Sequence, residues 1–315
     1  MMLLKILSIV ASFRMLPCLG HSKFYEGNLA TGIGMPHRAS QLGMAMKERV
    51  NLRTPREEIS KSNLENEASP SRNLIIGGFE VPLGYFPYLA YLSIESGDGA
   101  FLCGGSLISP NWILTAAQCV ESKDLLNVTV LLGWHDTLEK PEEVHLVYPE
   151  DVFIHPNYGS TDYYLAARWI DSDFALLHLS NSSNFTPIEV NIFESIPAPG
   201  DSVYAAGYGL TEYNETSDVA LFAELKVLSR DACEVVYGKM FTTNMLCATG
   251  NGMSDTCYGD SGGPLVWFDP KGILNSTLVG VVSWGSELGC NLSDKPSVFS
   301  DVSSALSWLI EKVFV

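Results

Sequence analysis

The chain has 315 residues, 46% hydrophobic and 17% charged, with a formal net charge of −17. This is globular composition, long enough for one large domain or two small ones. The acidity lies from Ile75 onward, where 9 Lys and Arg face 30 Asp and Glu, a net of −21. So acidic a region disfavours nucleic acid and anionic membrane surfaces as partners and favours a basic one.

Residues 1–20 read as a secretory signal peptide. Lys5 supplies a short basic start, Ile6 to Phe13 an apolar run, and Arg14 ends that run far short of the roughly 20 residues needed to span a bilayer. A secreted, extracellular protein is therefore expected. Residues 21–74 contain no Cys and carry a basic cluster of Lys47, Arg49, Arg53 and Arg56. They read as a loosely structured pro-segment or N-terminal extension. Beyond them, short apolar runs alternate with Gly, Pro, Asn and Asp turns, as in an all-β protein. Examples are Val128–Leu132, Phe174–Leu177, Ser202–Ala206 and Leu278–Val282. The last element is predicted as a helix. Leu306, Leu309, Ile310 and Val313 recur on one helical face, and Asp301 or Ser303 can cap it. Periodicity alone supports a β-sandwich or a β-barrel, with no internal repeat.

Setting aside Cys18 with the signal leaves Cys103, Cys119, Cys233, Cys247, Cys257 and Cys290. Six cysteines in a secreted domain imply disulfides, but spacing alone cannot choose among the possible pairings. Asn-X-Ser/Thr sequons at Asn127, Asn181, Asn184, Asn214, Asn275 and Asn291 point to exposed, glycosylated loops.

Two segments carry the chemistry. One is Leu114-Thr115-Ala116-Ala117-Gln118-Cys119. The other is Asp255-Thr256-Cys257-Tyr258-Gly259-Asp260-Ser261-Gly262-Gly263-Pro264. Together they resemble the trypsin-like (chymotrypsin-family) serine proteases, over roughly residues 75–315. The resemblance implies an all-β fold of two packed six-stranded antiparallel β-barrels with a C-terminal α-helix and a cleft between the barrels. It also implies disulfides 103–119, 233–247 and 257–290. A further disulfide common in the family has Val203 and Trp267 at its two positions.

The resemblance assigns Ser261 as nucleophile, Asp173 as the acid that orients the base, and the backbone N–H groups of Gly259 and Ser261 as the oxyanion hole. The base should be a His, and here the position is Gln118. A primary amide has no lone pair basic enough to hold a proton near pH 7. It can still hydrogen-bond Ser261 or Asp173. None of His135, His145, His155 and His178 stands where the resemblance would place a substitute base. An inactive homologue that acts by binding is the expectation, and an active endopeptidase cleaving after Arg or Lys is the alternative.

The family's activated start is matched by Ile75-Ile76-Gly77-Gly78, whose new ammonium would pair with Asp260. Leu74 precedes it rather than Arg or Lys. A cut after Arg72 would leave an Asn73-Leu74 overhang that prevents the buried ion pair. Asp255 matches the floor of the substrate pocket, and Ser283-Trp284-Gly285 the edge strand that pairs with a substrate backbone. Ser297 stands at a pocket-wall position that is Gly in trypsins and should narrow the pocket. A glycan at Asn291 would sit near the pocket rim. The stretch from Tyr158 to Ile170, with Tyr163, Tyr164 and Trp169, would overhang the cleft. No cofactor or metal is implied, since Trp134 stands where the family's calcium loop usually begins with a carboxylate. The expected partner is a protein or peptide in the cleft, and the expected state is a monomer.

Overall fold

In the computed structural model, residues 78–97, 99–159, 170–210, 215–269, 276–286, 290 and 292–313 are described. The signal, the pro-segment, Ile75, the Tyr163–Trp169 stretch and the sequons at Asn214, Asn275 and Asn291 lie outside them.

Strand β1 (Phe79–Glu80) is followed by β2 (Leu89–Ser96), β3 (Gly99–Ser109) and β4 (Trp112–Thr115). A single helical turn, α1 (Ala117–Val120), carries Gln118. Then come β5 (Leu125–Leu132), β6 (Glu143–Val147), β7 (Val152–Ile154) and β8 (Ala175–His178). These form one antiparallel sheet in the order β6-β5-β2-β3-β4-β8-β7. Alternation sets its faces: along β5, Val128, Val130 and Leu132 are buried, while the residues between them are only partly so, the period of 2 that a half-buried strand requires.

The second half contains β9 (Glu189–Val190), β10 (Ser202–Gly207), β11 (Leu221–Val227), helix α2 (Arg230–Tyr237), β12 (Met245–Thr249), β13 (Pro264–Trp267), β14 (Thr277–Trp284), β15 (Ser297–Asp301) and helix α3 (Leu306–Val313). Strands β11, β10, β13, β14, β15 and β12 pair in turn, and β12 returns to β11, closing a six-stranded barrel. The expected architecture is thus present. Hydrogen bonding closes the second barrel, whereas the first sheet is an open path that curls into a half-barrel among the described residues. Short β9 adds a parallel pairing to β14.

All four strands read from the sequence are found, with ends within three residues. At the C-terminal helix, Asp301 is the cap: its carboxylate accepts from Ser303 N at 2.9 Å and from Ser303 Oγ at 2.7 Å. Helix α2 was not legible beforehand. It has eight residues, buries only Cys233 fully, and is started by Ser229, whose hydroxyl accepts from Ala232 N, a serine cap of the usual kind.

The core of the first half is built on fully buried Leu92, Leu107, Ile113, Leu114, Phe174 and Leu176. Each such side chain stabilises the fold by roughly 1.5–3 kcal/mol. Phe174 thereby pins Asp173, its neighbour in sequence, at the inner end of β8. Three disulfides, Cys103–Cys119, Cys233–Cys247 and Cys257–Cys290, pair as the resemblance implied. Val203 and Trp267 are direct register partners across β10 and β13 and are both buried in the second barrel. Apolar packing occupies the place of the missing crosslink.

Candidate active site

The site is assembled where α1, the start of β8, the β12–β13 connection and the end of β14 converge. Gly259 and Gly262 both take positive φ, +94° and +82°, which only glycine adopts without strain. A Cβ at Gly262 would lie 2.2 Å from Thr115 Oγ1, so this turn also needs the absence of a side chain. Ser261 caps the bend and is partly exposed. Its carbonyl accepts from Gly104 N at 2.8 Å, and Gly262 N donates to Val282 O at 2.8 Å, so both barrels hold the turn.

The approach of Gly104 is close. A Cβ there would lie 2.7 Å from Gly263 Cα and 2.9 Å from Gly263 N, both backbone atoms. Gly104→Ala should therefore destabilise by about 1–3 kcal/mol through forced backbone movement, read as a lowered thermal midpoint. An unchanged midpoint would show that the barrels are not in contact here.

Among the described residues, neither Gly259 N–H nor Ser261 N–H donates to an acceptor within the chain. Two unpaired N–H groups on a turn beside a serine are what an incoming oxyanion requires.

The acid side is different. Asp173 is fully buried. Its Oδ1 accepts from Gln118 N at 2.9 Å, and its Oδ2 from Gln118 Nε2 at 2.9 Å and Ser283 Oγ at 2.6 Å. Gln118 Nε2 also donates to Ser283 O. Both amide hydrogens are thus committed, one to Asp173 and one to β14. Of the two partners expected for Gln118, the structure chooses Asp173. Among the described residues Ser261 Oγ has no hydrogen-bond partner. Burial pushes the Asp173 carboxyl up to about 6 despite the donors around it. Ser283 was expected only as part of the strand that receives a ligand. Its bridging of Asp173 and Gln118 spans 110 and 165 residues, and no local signal announces such contacts.

The four histidines are engaged elsewhere. His155 is buried against Trp308 and Phe174, at 4.9 and 6.1 Å between ring centres. His135 bonds Glu80 at 2.9 Å, His145 bonds Glu143 at 3.1 Å, and His178 packs on Trp112 at 4.7 Å.

Asp260 lies behind the serine turn, buried. Its carboxylate accepts from Gly209 N and Cys257 N, each at 2.9 Å. Burial raises it to about 6, against the effect of those two donors. A Cβ at Gly207 or Gly209 would lie 2.2 or 2.6 Å from this carboxylate, so the two glycines form its cradle.

Where the resemblance puts the pocket floor, Asp255, Thr256 and Ser297 are all buried. Ser297 Oγ donates to Asp255 Oδ1, Thr256 N donates to the same oxygen at 2.8 Å, and Thr256 Oγ1 donates to Ser297 Oγ at 3.0 Å. Thr256 was not singled out from sequence, although its place beside Asp255 is the available signal. Trp284 and Gly285 flank this group, and the Trp284 ring packs against Tyr237 at 4.8 Å.

Trp134 stands in the loop after β5. Its Nε1 donates to Glu139 O at 2.8 Å, its ring packs on Tyr91 at 4.7 Å, and its carbonyl accepts from Tyr208 OH. Among the described residues no group of three or more His, Cys, Asp or Glu is placed to hold a metal ion. Of the sequons described, Asn181 and Asn184 are exposed, with Asn184 Nδ2 bonded to Glu143 at 3.0 Å; Asn127, half-buried, bonds Glu95 at 3.0 Å.

Fold and turn geometry define a chymotrypsin-like architecture. The trypsin family description matches residues 75–309, and the chain belongs to that family. It is 32% identical to a trypsin of Sus scrofa over 246 residues, covering 76% of this chain and 95% of that protein. It is 34% identical to glucanase inhibitor protein 2 of Phytophthora infestans, over 78% of this chain and 91% of that one. It is 32% identical to phenoloxidase-activating factor 3 of Holotrichia diomphalia, over 76% and 73%.

Proposed function

We propose that this protein is a secreted, trypsin-fold protease homologue that does not hydrolyse peptides and acts by binding a protein or peptide in its cleft, as a decoy, inhibitor or cofactor. One observation carries the reading. The residue at the base position is an amide whose two hydrogens are bound to Asp173 and Ser283, so no group takes the proton from Ser261. Serine without a base is a poor nucleophile at neutral pH, whatever oxyanion donors surround it.

Three disulfides suit an oxidising, extracellular compartment. A relative named as an inhibitor supports a role for the fold apart from hydrolysis. The second reading, an active endopeptidase, draws on the free N–H groups of Gly259 and Ser261 and on the retained Ser261. It requires a substrate imidazole to serve as base.

The test is covalent labelling of Ser261 by a fluorophosphonate, which needs an activated hydroxyl and no pocket. The natural protein, with Ile75 as its first residue, should label no faster than Ser261→Ala. Labelling well above that background would establish an active nucleophile and end the binding-only reading.

A further inference from the structure

We propose that the pocket beside Ser261 is occupied from within by Ser297 and excludes Arg and Lys, so that the segment held in the cleft places a small uncharged side chain (Gly, Ala or Ser) there. The second half of this statement rests on the reading of the cleft as a binding surface. The first half does not.

The argument begins with the carboxylate. Recognition of a guanidinium uses both carboxylate oxygens in a fork. Oδ1 of Asp255 already accepts two bonds, from Ser297 Oγ and Thr256 N, which uses both of its lone pairs. Thr256 Oγ1 in turn fixes the Ser297 hydroxyl. Asp255, Thr256 and Ser297 are 6%, 7% and 5% exposed, so the network is closed off from solvent as well as internally bonded.

Position gives the second argument. Trp284 pairs with Val298, so Gly285 lies across the β14–β15 ladder from Ser297, and a carbon at the Cβ position of Gly285 would lie 3.9 Å from Ser297 Oγ. The Ser297 hydroxyl is bonded directly to Asp255, so it takes up space that an aliphatic stem reaching this carboxylate would need. A methyl or hydroxymethyl group that stops short of Ser297 does not compete for it.

The wall cannot easily swing away. Ser297 belongs to β15, where it is the register partner of Ala248, and Val298 pairs with Trp284. Tyr237 OH donates to Pro296 O and the Tyr237 ring packs on Trp284, so the strand that carries Ser297 is held to its neighbours on both sides. The side chain of Ser297 is therefore the removable part.

p-Aminobenzamidine, an amidinium that mimics arginine and fluoresces when enclosed, tests the pocket without any catalysis. The natural domain should show no enhancement at millimolar concentration. Ser297→Gly should bind at least 100-fold more tightly, and adding Asp255→Asn to it should abolish the gain. Thermal midpoints of the variants confirm folding, and the natural protein tests the claim with no variant at all. Binding of p-aminobenzamidine to the natural protein as tight as to Ser297→Gly would overturn the proposal. The ligand class is tested with a Kunitz-type inhibitor carrying Ala or Arg at its pocket position. The Ala form should bind the natural protein at least tenfold more tightly, with the order reversed for Ser297→Gly. Preference of the natural protein for the Arg form would overturn the inference. If neither form binds while the p-aminobenzamidine result stands, the cleft-binding reading fails and the closed pocket remains.

Discussion

Gln118→His should raise fluorophosphonate labelling of Ser261 by roughly 10³-fold or more over the natural protein, within the ~10⁶ that loss of the corresponding His costs in subtilisin. The other parts of the machinery are in place. Asp173 is fixed by Gln118 N and Ser283 Oγ, bonds that do not depend on the amide side chain. An imidazole at 118 would donate from one nitrogen to the oxygen that Gln118 Nε2 now contacts and turn the other toward Ser261. The turn holding Ser261 is set by Gly104 and Val282, which the substitution leaves untouched. The comparison is made on chains beginning at Ile75, with Ser261→Ala as background. No gain from Gln118→His would mean that the serine turn itself is unproductive, and inactivity would then have a second cause. With Ser297→Gly added, the same protein should turn over arginine esters. With Ser297 present it should not, which separates loss of the base from closure of the pocket.

The second large effect is on stability. For the full chain, the thermal midpoint should rise as pH falls from 7 to 5. Asp173 and Asp260 are each pushed up to about 6, first by burial, against about 3.9 for an unfolded chain. Their folded pKa values lie above the unfolded ones, so the folded state binds protons that the unfolded state has released. That contribution is fully present below pH ~4 and is lost as pH rises through about 6, some ~3 kcal/mol per carboxyl over the whole range. Roughly half of it falls between pH 7 and 5. Asp301, also raised by burial, adds in the same sense. Relief of the acidic surface charge does too.

His155 opposes the trend. Burial lowers its pKa, against the nearby Asp171, so acidification through the imidazole range costs stability. Glu143 stays out of the window: burial raises it, but hydrogen bonds from Asn184, Ser183 and His145 outweigh that and hold it near 2. Its contribution is complete above the ordinary carboxylate pKa and is lost as pH falls from there through about 2. The net expectation is a rise of several degrees, since 1 kcal/mol moves the midpoint of a domain this size by about 2–4 °C. Asp173→Asn should flatten the slope. A midpoint that falls steadily from pH 7 to 5, with the same slope in Asp173→Asn, would mean that these carboxyls are not buried as described.

Short-range features were legible in the sequence. The Val128–Leu132 strand declares itself by alternation, the last helix by its apolar spacing, and the Gly259–Gly263 turn by glycines at the positions that take positive φ or admit no Cβ. Helix α2 has an apolar face too but buries only Cys233 fully on it, so its pattern does not stand out from the polar residues around it. Closure of the second barrel through β12 and β11 was not read from pattern either, since pairing between distant strands leaves no mark on either one.

The chemistry at position 118 is legible without any fold: there is an amide where proton transfer needs an imidazole, and no fold can make an amide basic. Long-range packing chooses which groups that amide and the pocket carboxylate meet. Gln118 bonds Asp173 and Ser283, which are 55 and 165 residues away, and Ser297 bonds Asp255 across 42. A hydrogen bond is made only within about 3 Å and with proper alignment. Its partners are therefore fixed by how distant strands pair within each half and, for Gln118 and Ser283, by how the two halves pack, rather than by any neighbour in the chain.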